Sequence, residues 1–204
     1  MKEYSAERKN VKAQLEVIAG PMFSGKTDEL IRRLVREQYA KRDVELFKPS
    51  IDQRYGGGSK AHSHSGGEFP AVLFDINHPE EIIKLIRPST SVVGIEEVQF
   101  CNPEVLDVCE ELVAMGKRVI VGGLPTDFRG EPFGVVPLLM AKAEKVDRLH
   151  AVCMVCGDEA DFTQRLVNGE PAKYDDPVVA VGAAELYEAR CRNHHEVPGR
   201  PVKK

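Results

Sequence analysis

Apolar residues in this chain recur in two rhythms, short unbroken runs and positions three or four apart, and the two alternate over residues 15–150. Leu15-Glu16-Val17-Ile18-Ala19 is a run of the first kind and predicts a buried strand. Leu30, Ile31, Leu34, Val35 and Tyr39 then fall on one face at helical spacing. Residues 44–47 read as a short strand stopped by Lys48-Pro49, residues 72–74 as a strand and residues 79–86 as a short helix. Ser91-Val92-Val93-Gly94-Ile95 is the clearest interior strand. Asn102 in the N-cap place and Pro103 at the first helical position open a helix that runs through Met115 and ends at Gly116. Residues 118–121 are a further core strand, 136–142 a short helix and 146–152 a last strand. Such repetition predicts an α/β fold, a mostly parallel sheet with helices on both faces.

Two stretches break the rhythm. Residues 50–67 carry Gly56-Gly57-Gly58, Gly66-Gly67, His62 and His64 with almost nothing apolar, and read as a long mobile loop. The two histidines have no partner at ligand spacing, so they are read as solvated or as neighbours of a substrate. Residues 124–134 hold Phe128, Arg129 and Phe133 among glycines and prolines, beyond the end of a strand. Phenylalanines so placed can line a base pocket or simply pack, and both readings stand.

Composition narrows the classes. A chain of 204 residues suits one domain with a small appendage. A net charge of −4 argues against a generic nucleic-acid binder. No apolar run approaches the roughly 20 residues of a membrane span. Residues 1–14 are charged and lack an apolar core, and are read as a frayed, flexible leader of a cytoplasmic protein. Five cysteines in such a protein point to metal ligands or buried thiols rather than disulfides, with Cys101 and Cys109 as buried thiols.

The sharpest motif joins the first strand to the first helix. Gly20-Pro21-Met22-Phe23-Ser24-Gly25-Lys26-Thr27 fits G-x-x-x-x-G-K-[ST] at every fixed position. Its glycines let successive N–H groups turn toward phosphate oxygens, Lys26 reaches the β- and γ-phosphates, and the Thr27 hydroxyl can ligate Mg²⁺. A helix starting there adds its positive end. The chain is therefore read as binding a nucleoside triphosphate. The strand at 91–95 ends in Glu96-Glu97, the place where a phosphoryl-transfer enzyme holds Mg²⁺ and its base. Neighbours at a strand's end point in opposite directions, so the two carboxylates take separate roles.

Cys153-x-x-Cys156 and Cys191-x-x-His194 make a Cys₃His set suited to one tetrahedral structural zinc, with no open position for catalysis. His195 stands beside His194 as an alternative, though the spacing favours His194. The intervening residues 157–190 exceed the usual gap of about 15–20 and predict a long excursion between the two halves.

Taken in order, these motifs resemble the type II thymidine kinase family, and the resemblance runs from about Leu15 to His194. The phosphate loop matches almost word for word. Asp52-x-Arg54-Tyr55 with Ser63-His64 resembles the family's mobile loop, and Glu96-Glu97-x-Gln99-Phe100 its Asp-Glu-x-Gln-Phe. Phe128-Arg129-Gly130-Glu131-Pro132-Phe133-Gly134, Thr163-x-Arg165 and Val181-Gly182-x-Ala184…Tyr187…Cys191-Arg192 also match, the last resembling a segment called the lasso.

The resemblance implies ATP-dependent phosphorylation of the 5′-hydroxyl of thymidine or deoxyuridine. It implies Glu97 as the base, Glu96 with Thr27 at Mg²⁺, and Gln99 with the ATP site. Asp52, Arg54, Phe100, Phe128, Phe133 and Thr163 would meet the nucleoside, and Val178, Val179, Ala180, Val181, Gly182 and Tyr187 would close over it. The implied layout is a leader at 1–14, a nucleotide-binding α/β domain at 15–150, a zinc lobe with lasso at 151–195 and a tail at 196–204, in a homotetramer. Three positions depart from the family pattern: Glu96 for Asp, Pro125 for Asp, and Ala183 for Gly. A nucleic-acid-contacting ATPase with a zinc lobe, and a catalytically impaired nucleotide binder, are the competing readings. The acidic charge speaks against the first.

Overall fold

The computed structural model describes residues 11–50, 60–62, 66–179 and 186–201. Of the expected leader, residues 1–10 lie outside the described residues. In chain order the first elements are β1 (Gln14–Ala19), α1 (Lys26–Tyr39), β2 (Val44–Pro49), β3 (Lys60–His62), β4 (Glu68–Pro70) and β5 (Val72–Phe74). Next come α2 (Glu81–Leu85), β6 (Val92–Ile95), α3 (Val105–Ala114), β7 (Arg118–Gly123), α4 (Val136–Lys142) and β8 (Lys145–Arg148). Five short strands end the chain: β9 (Ala151–Val152), β10 (Glu159–Ala160), β11 (Phe162–Val167), β12 (Glu170–Pro171) and β13 (Leu186–Arg190).

Six strands form one sheet in the order β5-β2-β6-β7-β1-β8, and every pairing in it is parallel. Strand periodicity sends alternate residues to opposite faces, and both faces are apolar. Leu15, Val17, Val93, Ile95, Val119 and Val121 pack with α2, α3 and α4. Ile18, Leu46, Val92 and Ile120 pack with Leu30, Ile31 and Leu34 of α1. Gly94 permits the close approach of α1, because a β-carbon there would lie 2.9 Å from a methyl of Leu34 and another of Leu46. The predicted α/β architecture is thus the observed one.

Four local expectations are corrected. β2 runs on through Lys48 and Pro49. Its neighbour β6 has already ended opposite Phe47, so the missing proline N–H breaks no bond on that side. Part of the expected 50–67 loop is a strand, since β3 pairs antiparallel with β4. Ala61 and Phe69 anchor this strand pair in the core under α1, too few apolar positions to register as a period. Regular helix in α3 starts at Val105, because Asn102 and Pro103 form a preceding turn that accepts from the N–H groups of Val105 and Leu106. The last predicted strand splits: after Leu149 donates to the Ala19 carbonyl at 2.7 Å the chain leaves the sheet, and Ala151–Val152 pairs antiparallel with β10.

Inside the apolar run of β1 sits a charge. Glu16 is fully buried, and its carboxylate bonds Arg33 of α1 at 2.9 Å and Arg118 of β7 at 2.6 Å. Arg33 continues to Glu29 and Asp147, and Arg118 to Glu37, so strands β1, β7 and β8 are tied to α1 by one ionic network. Burial opposes ionisation of Glu16, but hydrogen bonds and charge from Arg118, Gln14 and Arg33 hold its pKa below the usual carboxylate range. The arginines beside Glu29 hold that carboxyl down at about 2.

A depressed native pKa stabilises the fold above the unfolded value and is lost as pH falls through the native one. Glu16→Gln should therefore cost about 3 kcal/mol at pH 7, the scale of a broken buried ion pair, and the cost should shrink as pH is lowered from there through the acid range. Urea melts of both proteins across that range measure it.

Candidate active site

The glycine-rich loop lies at the C-terminal end of β1, with Gly25 left-handed at φ 79° immediately before α1. Glu29 N–H bonds the Gly25 carbonyl at 2.9 Å, which starts the helix with its N-terminus facing the loop. The Ser24 hydroxyl and the Lys26 ammonium both donate to the Pro21 carbonyl, at 2.8 and 2.7 Å. Burial pushes the Lys26 pKa down, and the charges of Glu97 and Glu96 work against that shift. Lys26 is thus a half-buried cation folded back on its own loop, within electrostatic reach of two carboxylates.

Those carboxylates follow β6. The Thr27 hydroxyl donates directly to Glu96. Glu97 adopts φ 54° and ψ 37°, a left-handed conformation uncommon for this residue type. Its carboxylate accepts from the Gln99 side-chain amide, whose oxygen in turn accepts from Leu124 N–H at 3.1 Å. Gly134 seals this junction, since a β-carbon there would come within 2.3 Å of the Gln99 carbonyl. An open cleft of about 500 Å³ is lined by Met22, Phe23, Lys26, Thr27, Glu97 and Phe100, among others.

The loop at 124–134 is internally stitched. Asp127 N–H bonds the Glu131 carbonyl at 2.9 Å, Phe133 N–H bonds the Pro125 carbonyl at 3.1 Å, and Thr126 and Pro132 form a bridge. The buried Asp127 carboxylate accepts from the N–H groups of Arg129 and Glu131. Phe133 meets the cleft-lining Phe100 edge to face at 5.6 Å. Phe128 is buried, with the guanidinium of Arg165 5.4 Å above its ring. Phe133 thus touches the cleft lining, and Phe128 packs against Arg165.

β11 connects this loop to the C-terminal part of the chain. The Thr163 hydroxyl accepts from Met22 N–H of the glycine-rich loop at 3.0 Å. Arg165 donates to the Pro177 carbonyl, just ahead of Val178 and Val179. Tyr187 stands opposite Arg165 in the β11–β13 pairing.

Two turns meet beyond these strands. Cys153 and Cys156 follow β9, and Cys191 and His194 follow β13, with candidate ligand atoms all within 4.8 Å of one another. The Cys156 and Cys191 sulfurs lie 3.8 Å apart, and His194 Nδ1 is 3.7 Å from Cys153 Sγ and 3.2 Å from Cys191 Sγ. Burial alone would raise the Cys153 thiol, but backbone hydrogen bonds at Cys191, Val155 and Cys156 outweigh it and bring the thiol to about 6. His195 turns the other way: its ring stacks on Phe162 and its Nε2 contacts the Phe128 carbonyl at 2.8 Å. The other two cysteines, Cys101 and Cys109, are buried in the main core, where burial pushes Cys101 up to about 12.

Comparison with known proteins accounts for this combination. The family model described as "TK: Thymidine kinase" matches residues 13–195, spanning the glycine-rich loop and the Cys/His cluster. The chain belongs to the thymidine kinase family. A thymidine kinase of Coprothermobacter proteolyticus is 52% identical over 188 residues, 92% of this chain and 93% of the relative. Among the described residues of this thymidine kinase family member, no helix is long and apolar enough to cross a membrane.

The structure brings Gly20–Thr27, Glu96, Glu97, Gln99 and Phe100 to one place. Asp52, Arg54, His64, Ala180, Val181, Gly182 and Ala183 lie outside the described residues. Pattern reading gave no role to Asp127 or to the left-handed backbone of Glu97. Nor did it find Gln164, which is buried and pairs through its side-chain amide with both backbone groups of Glu196. Gln164 acts through a partner distant in sequence, while Asp127 and Glu97 bond neighbours two to four residues away inside irregular turns, and none of the three leaves a periodic trace.

Non-glycine residues held in left-handed backbone store strain of order 1 kcal/mol or more, characteristically at functional sites. Asparagine tolerates that backbone better and keeps an acceptor oxygen. Glu97→Asn should therefore raise conformational stability by a few tenths to about 1 kcal/mol, read as a higher denaturation midpoint.

Proposed function

We propose that this protein transfers the γ-phosphoryl group of ATP to the 5′-hydroxyl of thymidine, with deoxyuridine as a second substrate. The observation that carries the reading is the convergence of Lys26 and Thr27 with Glu96 and Glu97 at the ends of β1 and β6, in a chain of the thymidine kinase family. Phosphoryl transfer asks a protein chiefly to position reactants and neutralise charge on the moving group. Lys26 would exchange the Pro21 carbonyl for phosphate oxygens, while the loop N–H groups and the start of α1 hold the rest of the triphosphate.

Glu97 lines the cleft and is the base. It takes the 5′-hydroxyl proton as that oxygen bonds the γ-phosphorus and the bond to the bridging oxygen breaks, leaving ADP. The Thr27 hydroxyl and Glu96 carboxylate form a hard oxygen pair suited to Mg²⁺. When bound, that ion neutralises charge on the β- and γ-phosphates. Phe100, Phe133 and Phe128, with Thr163, would build the floor and wall of the nucleoside pocket. Asp52, Arg54, the segment Val178 to Gly182 and Tyr187 would complete it. Measuring phosphate transfer to a nucleoside panel tests the proposal. Thymidine and deoxyuridine should be accepted and deoxycytidine poor, because a site that pairs one donor–acceptor pattern penalises its reverse. In the same assay Glu97→Gln should lower kcat by about 10²–10⁴-fold with nucleotide affinity kept. Deoxycytidine as best substrate, or full kcat in Glu97→Gln, would overturn it.

The same reading includes one structural Zn²⁺ on Cys153, Cys156, Cys191 and His194. A tetrahedral Cys₃His site with bonds of about 2.3 Å to sulfur and 2.0–2.1 Å to nitrogen has S···S near 3.8 Å and S···N near 3.6 Å. The observed 3.8 and 3.7 Å agree with that shell, and the 3.2 Å between Cys191 and His194 is tighter than it. His195 is already engaged with Phe128, which favours His194 as the fourth ligand. Metal analysis should find about one zinc per chain, and Cys191→Ser should lose both the metal and thermal stability. Full zinc in that variant would remove the assignment. A cytoplasmic homotetramer completes the proposal, and sedimentation of the purified protein reads its assembly.

A further inference from the structure

We propose that His195 is a positioning residue for the nucleoside pocket, holding the 124–134 loop in place through the Phe128 carbonyl. Three consecutive residues of the segment after β13 are committed to three different partners. His194 joins the Cys/His cluster, His195 Nε2 lies 2.8 Å from the Phe128 carbonyl, and Glu196 pairs with Gln164 through two bonds of 2.9 and 2.8 Å. A carbonyl oxygen only accepts, so His195 presents its Nε2–H. The imidazole has little freedom to leave. It stacks on Phe162 at 4.7 Å with planes 14° apart, and Phe162 carries the Arg192 guanidinium on its ring at 4.9 Å.

The contact matters because of what it grips. The bond from Asp127 N–H to the Glu131 carbonyl, the Thr126–Pro132 bridge and the bond from Phe133 N–H to the Pro125 carbonyl make the loop a stiff unit. Fixing it at Phe128 therefore fixes Phe133, which leans on Phe100 at the cleft wall, and Leu124, which lines the cleft. A second tie, Arg200 to Glu131 at 3.1 Å, joins the same segment to the same loop from the exposed side. The glycine-rich loop and its helix stand mainly on β1 and α1, with one further tie from Thr163 of β11. Loss of the His195 bond should therefore loosen the nucleoside wall and leave the phosphate site alone.

The inference rests on the 124–134 loop being the wall of the nucleoside pocket, so the experiment separates the two. In the full-length protein, His195→Phe keeps the ring stack and removes the donor, His195→Gln restores an N–H of similar reach, and Phe133→Leu tests the wall itself. One neutral hydrogen bond corresponds to about three- to tenfold in an equilibrium. His195→Phe should raise the KM for thymidine by about that factor, with the KM for ATP and the zinc content unchanged. His195→Gln should return the thymidine KM to within about twofold of the parent. Should His195→Phe not fold, His195→Leu makes the same comparison against His195→Gln. Unchanged thymidine KM in the donor-less variant, while Phe133→Leu raises it, overturns the role of His195 alone. A parallel rise in both KM values without rescue by Gln marks a merely structural contact and also overturns it. No effect of Phe133→Leu overturns the wall reading and this inference with it.

Discussion

The parallel register of β1, β6 and β7 is the constraint on which the site depends. Ala19 pairs with Gly123 and Ile95 with Val121, so three strands end at nearly one level. Parallel strands put their carboxyl ends on one side, where the connecting turns gather. The glycine-rich loop leaves β1 there, Glu96 and Glu97 leave β6, and Leu124 leaves β7. A slip of one residue in β6 would turn Glu96 away from Thr27 and reverse every buried side chain of that strand. Packing on both faces prevents it, since Val93 and Ile95 belong to one core and Val92 to the other.

Electrostatics divides the molecule into a settled part and a poised one. Glu16, Arg33 and Arg118 pair with one another and with Asp147 and Glu37 at 2.6 to 2.9 Å, and the network ties α1 to three strands. At the cleft, burial works against the charge of Lys26 while Glu96 and Glu97 favour it, and its bond goes to a carbonyl of its own loop. An arriving triphosphate would offer that ammonium better acceptors than a single carbonyl. The strained backbone of Glu97 belongs to the same poise: β6 packing, the Gln99 amide and the contact of Gly134 with Gln99 together impose it.

The C-terminal strands serve the site from behind. β11 sends Thr163 to the glycine-rich loop, and Arg165 to the ring of Phe128 and the Pro177 carbonyl. Gln164, between them, faces the other side and holds the segment after β13. Alternation along one strand thus couples the glycine-rich loop, the 124–134 loop and the Cys/His turns, with each residue's direction set by the pleat.

The sequence by itself determined the alternation of strands and helices, the phosphate loop between β1 and α1, the adjacent carboxylates after β6 and the Cys₃His spacing. These are local signals, carried by periodicity or by residues a few positions apart. Tertiary structure decided what joined distant segments. It made Glu16 the hub of a buried ionic network, though along the chain it is one charge in an apolar run. It split residues 146–152 between two sheets, because pairing partners and not propensity fix where a strand ends. It folded Ala61 and Phe69 into the core from a stretch too polar to show a period. It separated His194 from His195, identical residues side by side, by giving one to the sulfurs and the other to the Phe128 carbonyl. No spacing rule could assign these, because each depends on which backbone or side-chain atom another part of the chain brings within about 3 Å.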